Sequence, residues 1–200
     1  MDDVQVQFVY CPAQFDSSSE AAARVGTLSA GPVSDYFVGE LRAPSVPVGL
    51  IVGLGLEPHR ALGLVELVEP SRTWAFVSES IDHRFSEAAS ALHSNLLASP
   101  DAPTLLHYDV RSLAQTFGAL ESLNFAVGLK YRLLIAPSGP KIFSLACMLV
   151  GAPRVNGRPA IWRVGNANPA TPSDVTEAGD VVAANVRFGA KSRKSMFEVR

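Results

Sequence analysis

The stretch Val48-Gly49-Leu50-Ile51-Val52-Gly53-Leu54-Gly55-Leu56-Glu57-Pro58-His59 decides the fold class. From Val48 to Leu54 it is apolar or glycine at every position, the pattern of a strand covered on both faces of a parallel sheet. A glycine turn then opens a segment from Glu57 to Leu67. Ala61, Leu64, Val65 and Val68 recur there at helical spacing, and Pro58 is tolerated in a first helical turn. Strand, tight turn and helix in succession make the first half of a βαβ unit.

The same alternation continues downstream. Thr73 to Ser78 reads as a second strand, followed by one helix from about Asp82 to Ala98 with Phe85, Ala89, Leu92 and Leu96 on a single stripe. Thr104 to Tyr108 reads as a third strand. Asp109 is then expected to cap the helix that holds Leu113, Phe117, Leu120 and Val127. Tyr131 to Ala136, the turn Pro137-Ser138-Gly139-Pro140-Lys141 and the apolar helix Ile142 to Val150 form the next unit, and Ala160 to Val164 a fifth strand. Strands alternating with helices imply right-handed crossovers and a three-layer, Rossmann-like α/β sheet, mostly parallel. Val181 to Phe188 alternates and is expected as an antiparallel C-terminal edge strand; Gly165 to Gly179 reads as a loop.

Upstream, Val4 to Tyr10 suits a strand that Cys11-Pro12 ends. The polar run Asp16 to Glu20 suits a loop, with Ser19 as a cap for a helix over Glu20 to Val25. Residues 1–45 are therefore expected as an N-terminal extension, or as an additional strand and helix of the same domain. Residues 46–200 are expected to form a Rossmann-like ligand-binding domain.

Composition agrees with one buried core. The 200 residues are 48% hydrophobic and 18% charged, against about 25% charged in typical soluble domains. That excludes a disordered chain, and the 2 cysteines exclude a disulfide scaffold. Cys147, in an apolar run, reads as a small buried residue. The apolar runs are shorter than the roughly 18–20 residues of a spanning helix, so no membrane association is expected. The acidic start Met1-Asp2-Asp3 shows no secretory signal, and a cytoplasmic protein is inferred.

The net charge of −2 hides an asymmetry: residues 1–100 carry 12 acids against 5 bases, and residues 101–200 carry 7 acids against 12 bases. This is either an anion-binding face on the C-terminal half or two solvated surfaces that neutralise each other or a partner subunit. Bulk nucleic-acid binding is not favoured, since only Lys191-Ser192-Arg193-Lys194 forms a basic cluster.

In open α/β sheets ligands bind beyond the carboxyl ends of the strands, where strand order reverses. The residues there are Gly53, Gly55 and Glu57, then Ser78, Asp109, and finally Ser138, Gly139 and Lys141. The last three are the most informative. Gly139 frees the backbone, Ser138 can cap the next helix, and Lys141 adds a full charge to a helix start already suited to an anion. The alternative is that Lys141 faces solvent or pairs with an acid such as Asp109. Gly53 and Gly55 fall short of a dinucleotide fingerprint because Pro58 stands at the third glycine position, although Glu79 stands where a ribose-binding acid could be. No cofactor is assigned. There is no phosphate loop, nucleophile elbow or metal motif, and His59, His83, His93 and His107 are dispersed and read as surface or core-edge residues.

The glycine turn after Leu54 and the late Ser138-Gly139-x-Lys141 loop together resemble the CRISPR-associated Rossmann-fold (CARF-like) sensor domains and related domains of bacterial defence systems. The resemblance covers roughly residues 46–165. It implies that the two loops cradle a nucleotide second messenger, often a cyclic oligoadenylate, at a dimer interface. Gly53, Gly55 and Glu57 would act from the first loop, and Ser138, Gly139 and Lys141 from the late one. The expected function is non-enzymatic sensing of a nucleotide or other anionic phosphorylated small molecule, as a homodimer or part of a larger assembly. One alternative is a nucleotide- or phosphodiester-processing enzyme using Asp109 or His59 as acid or base. Another is an interaction subunit with no small ligand.

Overall fold

A computed structural model describes residues 4–15, 28–57, 59–79, 82–152, 157–166, 176–179 and 181–189. The expected helix over Glu20 to Val25, Pro58, most of the loop before Gly179 and the basic cluster at 191–194 lie outside these residues. The strands are β1 (Val4–Tyr10), β2 (Leu28–Pro32), β3 (Val48–Leu54), β4 (Arg72–Glu79), β5 (Thr104–Asp109), β6 (Arg132–Ala136), β7 (Ala160–Asn166) and β8 (Val182–Phe188). The helices are α1 (Arg60–Val68), α2 (His83–Leu92), α3 (Ser94–Leu97), α4 (Leu113–Val127) and α5 (Lys141–Gly151).

Six strands form one sheet in the order β2-β7-β6-β3-β4-β5. All neighbours are parallel except β2, which runs antiparallel to β7. The chain runs outward from β3 through β4 to β5, crosses back through α4, and resumes at β6 on the other side of β3. Strand order therefore reverses between β3 and β6. The mixed α/β, mostly parallel, Rossmann-like architecture read from the sequence is the one observed. The C-terminal strand β8 is antiparallel, as expected; its partner is β1, with Val4 opposite Phe188 and Tyr10 opposite Val182, in a separate two-stranded ribbon.

The apolar run of β3 is explained by burial on both sides. Leu50, Val52 and Leu54 pack with Ala61 and Leu64 of α1 and Leu96 of α3, whereas Ile51 faces α4 and α5. The ribbon joins that second layer through Val182, Ala184 and Val186. Phe76, Tyr108 and Phe143 form a buried three-ring cluster, with the Tyr108 and Phe143 rings stacked at 4.9 Å and the Phe76 and Phe143 rings at 5.3 Å. Each buried ring of this size contributes about 1.5–3 kcal/mol through apolar burial. Phe143 lies in the first turn of α5, so the cluster fixes where that helix begins.

Four local expectations are corrected. The helix expected from Asp82 to Ala98 breaks at His93 into α2 and α3, and His93 turns into the interior at 3% exposure. Ser112, not Asp109, caps α4, its side chain accepting from the Gln115 amide at 3.3 Å. Asp109 instead accepts from the Arg111 amide at 2.8 Å and its guanidinium at 3.1 Å, closing the turn ahead of the cap. At α5 the cap position is Pro140 and no side chain caps the helix, so Ser138 does not serve as its cap. α1 starts at Arg60, which leaves Glu57 in the preceding loop.

Candidate functional site

The reversal between β3 and β6 brings the loops carrying Gly53, Gly55 and Glu57 and Ser138, Gly139 and Lys141 side by side. Their contact is tight. A Cβ on Gly53 would run into the Ser138 carbonyl oxygen and lie 2.7 Å from the Phe143 ring, and one on Gly55 would lie 2.9 Å from Gly139. Gly139 itself sits at a φ of +90°, a conformation that other residues rarely adopt. These glycines hold the two loops against each other. Gly53 and Gly55 are not on the wall of the adjoining cleft.

That cleft, about 280 Å³, is lined by Glu57, Gly139 and Lys141 together with Tyr10, Phe85 and Val110. Lys141 is exposed at the first position of α5 and has no carboxylate partner among the described residues. Asp109, the acid that could have neutralised it, is bound to Arg111. Burial pushes the Asp109 carboxyl up, but the hydrogen bonds and charge of Arg111 outweigh it and leave the carboxyl below its usual value. Glu57 pairs with Arg60 at 3.0 Å. Ser138 is buried behind the loop, and Ser78 is fully buried at the end of β4, opposite Tyr108 of β5. Burial drives the Tyr108 phenol far above its ordinary range. Of the eight residues expected from the sequence, Glu57, Gly139 and Lys141 line the cleft. Gly53, Gly55 and Ser138 position its loops, and Ser78 and Asp109 lie outside it.

Comparison of the chain with protein-family models, curated proteins and solved structures finds no match.

Two residues that sequence reasoning missed complete the site. Tyr10, at the end of β1, lines the cleft together with Lys141; burial raises its pKa, and the Lys141 backbone amide partly offsets the rise. Past β1, the chain is tied down by Gln14 donating to the Thr176 carbonyl at 2.8 Å and Ala178 donating to the Pro12 carbonyl at 2.9 Å. Pro12 and Ala13 thereby become part of the wall. No local pattern links residue 10 to residue 141; the contact exists because β1 pairs with the distant β8.

His93 is the second. Its Nε2 lies 3.1 Å from the Gly55 carbonyl oxygen, which can only accept, so Nε2 carries the hydrogen. The imidazole pins the first loop from beneath. Burial lowers its pKa, with the Gly55 carbonyl and the Glu57 charge opposing that shift and His59 adding to it. His59 is exposed at the start of α1, with a left-handed φ of 64°. Among the described residues no group of His, Cys, Asp and Glu could hold a metal ion, and no helix is long and apolar enough to cross a membrane.

Proposed function

We propose that this protein is a Rossmann-like ligand-sensing domain that binds a nucleotide or another phosphorylated small molecule at the reversal between β3 and β6. The observation that carries this reading is Lys141. It is a first-turn lysine on an exposed helix start, placed on a cleft wall at the point of strand reversal, with no carboxylate to neutralise it among the described residues. Lysine at that end of a helix is unfavourable by about 0.3–1 kcal/mol against the dipole, and a bound anion reverses the sign. Glu57 suits the hydroxyl groups of a sugar, accepting their hydrogen bonds from the facing loop. Phe85 and Tyr10 offer aromatic surface to a base.

A cleft of about 280 Å³ holds a phosphoryl group with a sugar-sized body, just below the roughly 300–1,000 Å³ of small-ligand sites. A cyclic oligonucleotide, the ligand implied by the CARF-like resemblance and its role in antiviral defence, would have to be shared with a second copy of the chain. Titration calorimetry with AMP, ATP, inorganic phosphate and a cyclic oligoadenylate tests the reading. Binding of at least one nucleotide is expected, weakened about tenfold or more in Lys141→Ala, because a charge-assisted hydrogen bond contributes about 1.5–3 kcal/mol. No heat with any of the four, or equal affinity in the variant, overturns the assignment.

A further inference from the structure

A second cavity, of about 600 Å³, lies at the opposite, amino end of the sheet, where β3, β6 and β7 begin with Val48, Arg132 and Ala160. Its apolar wall includes Trp162, Tyr131 and Leu133, and its charged lining is three arginines, Arg42, Arg132 and Arg158, against one glutamate, Glu40. Arg42 is committed: it meets Glu40 at 3.1 Å and donates to the Leu129 carbonyl at 3.2 Å. Among the described residues Arg132 uses only its Nε, donating to the Val46 carbonyl at 2.9 Å. The Arg158 guanidinium has no hydrogen-bond or carboxylate partner among the described residues.

Arg132 and Arg158 are both half-buried. A guanidinium that has lost part of its hydration without gaining a counter-charge is held at a cost, which an anion entering the cavity removes. The planar fork of each matches a carboxylate or phosphate oxygen pair. The volume falls inside the roughly 300–1,000 Å³ range of small-ligand sites, and aromatic walls with a few convergent polar groups are their usual construction.

We propose that this cavity is a second binding site, taking an organic anion with an apolar body: the body rests against Trp162 and Tyr131, and the charged end meets Arg132 and Arg158. The site is independent of the cleft at Lys141, which lies at the other end of the strands.

The probe is 8-anilinonaphthalene-1-sulfonate, an aromatic anion whose fluorescence rises on transfer to an apolar site. Titration of the full chain is expected to saturate at one probe per protein. Decanoate should displace it at least tenfold more effectively than uncharged 1-decanol. Arg158→Gln should raise the dissociation constant about tenfold, and Arg132→Gln similarly, whereas Lys141→Ala leaves it unchanged. Because the Arg132 Nε also holds the Val46 carbonyl, Arg158→Gln decides the matter if the other variant does not fold, with far-ultraviolet circular dichroism as the check. The proposal is overturned by no saturable binding, by equal displacement with decanoate and decanol, or by unchanged affinity in Arg158→Gln. Loss of probe binding in Lys141→Ala alone would place the probe in the other cleft and overturn it as well.

Discussion

Adding one methyl group to Gly53 should be among the most damaging small changes in this molecule, whereas the same change at Gly118 should stabilise it. At Gly53 the new Cβ meets the Ser138 carbonyl oxygen and the Phe143 ring, the latter at 2.7 Å. Neither obstacle is the free end of a flexible side chain: one is backbone, the other a fully buried ring. Overpacking of a filled core costs about 1–3 kcal/mol, and an obstruction by backbone belongs at the top of that range. For a chain of this size each kcal/mol moves the midpoint by roughly 2–4 °C, so Gly53→Ala should melt roughly 6–12 °C below the parent. Gly118 lies within α4, and a methyl group added there would have nothing within 4 Å of it. At that position alanine removes the entropic penalty of a helical glycine, about 0.5–1 kcal/mol, and should raise the midpoint by roughly 1–4 °C. Thermal unfolding followed by circular dichroism measures both. Because the same seam carries Gly139 and Lys141, Gly53→Ala should also weaken ligand binding while Gly118→Ala leaves it intact. A Gly53→Ala protein melting within about 2 °C of the parent, the shift expected from less than 1 kcal/mol, would refute the idea that the glycines exist for loop contact.

His93 supplies a pH dependence. Its folded pKa is lowered by burial relative to the unfolded chain, so the unfolded state binds the extra proton first; stability is fully present above about pH 6.5 and falls as pH drops below it. The slope from this group is at most about 1.4 kcal/mol per pH unit. His93→Leu should flatten that part of the melting profile between about pH 7.5 and 5. It should also cost about 1–3 kcal/mol at neutral pH by leaving the Gly55 carbonyl without its donor; an unchanged acid slope would remove His93 as the cause. Phe143→Ala, which empties the centre of the three-ring cluster, should cost about 3–5 kcal/mol in chemical denaturation. A loss under about 1 kcal/mol would mean that the cluster does not anchor α5. Cys147 should stay unmodified by iodoacetamide in the native protein and react after denaturation, since it is fully buried and burial pushes its thiol well above the ordinary range.

Wherever a residue's role follows from its own neighbours in the chain, the sequence is sufficient. β3 and β6 are readable because strands covered on both faces are apolar at nearly every position, β4 because its centre from Trp74 to Val77 is, and α4 because Leu113 and Leu120 keep helical spacing. Asp109 reads as a cap and is not, because Ser112 also stands before α4 and the turn conformation selects between them; Ser138 is not one, because it lies two residues ahead of the cap position, which Pro140 occupies. His93 is hidden because the apolar stripe of α2 runs on through Leu96, and the break shows only once the Gly55 carbonyl arrives as a partner.

The alternation of strands and helices, the two-sided burial of the sheet, and the pair of glycine loops at strand ends are all written in the local residue pattern. These are properties of periods of two and 3.6 residues, which are local. That β3 and β6 are neighbours, that β1 finds β8 from the other end of the chain, and that Tyr10 lines the same cleft as Lys141 follow from the folded arrangement alone. So does the fact that Arg132 and Arg158 share one cavity. Strand order and long-range pairing are settled by which buried faces fit together across the whole chain, and no local period encodes that fit.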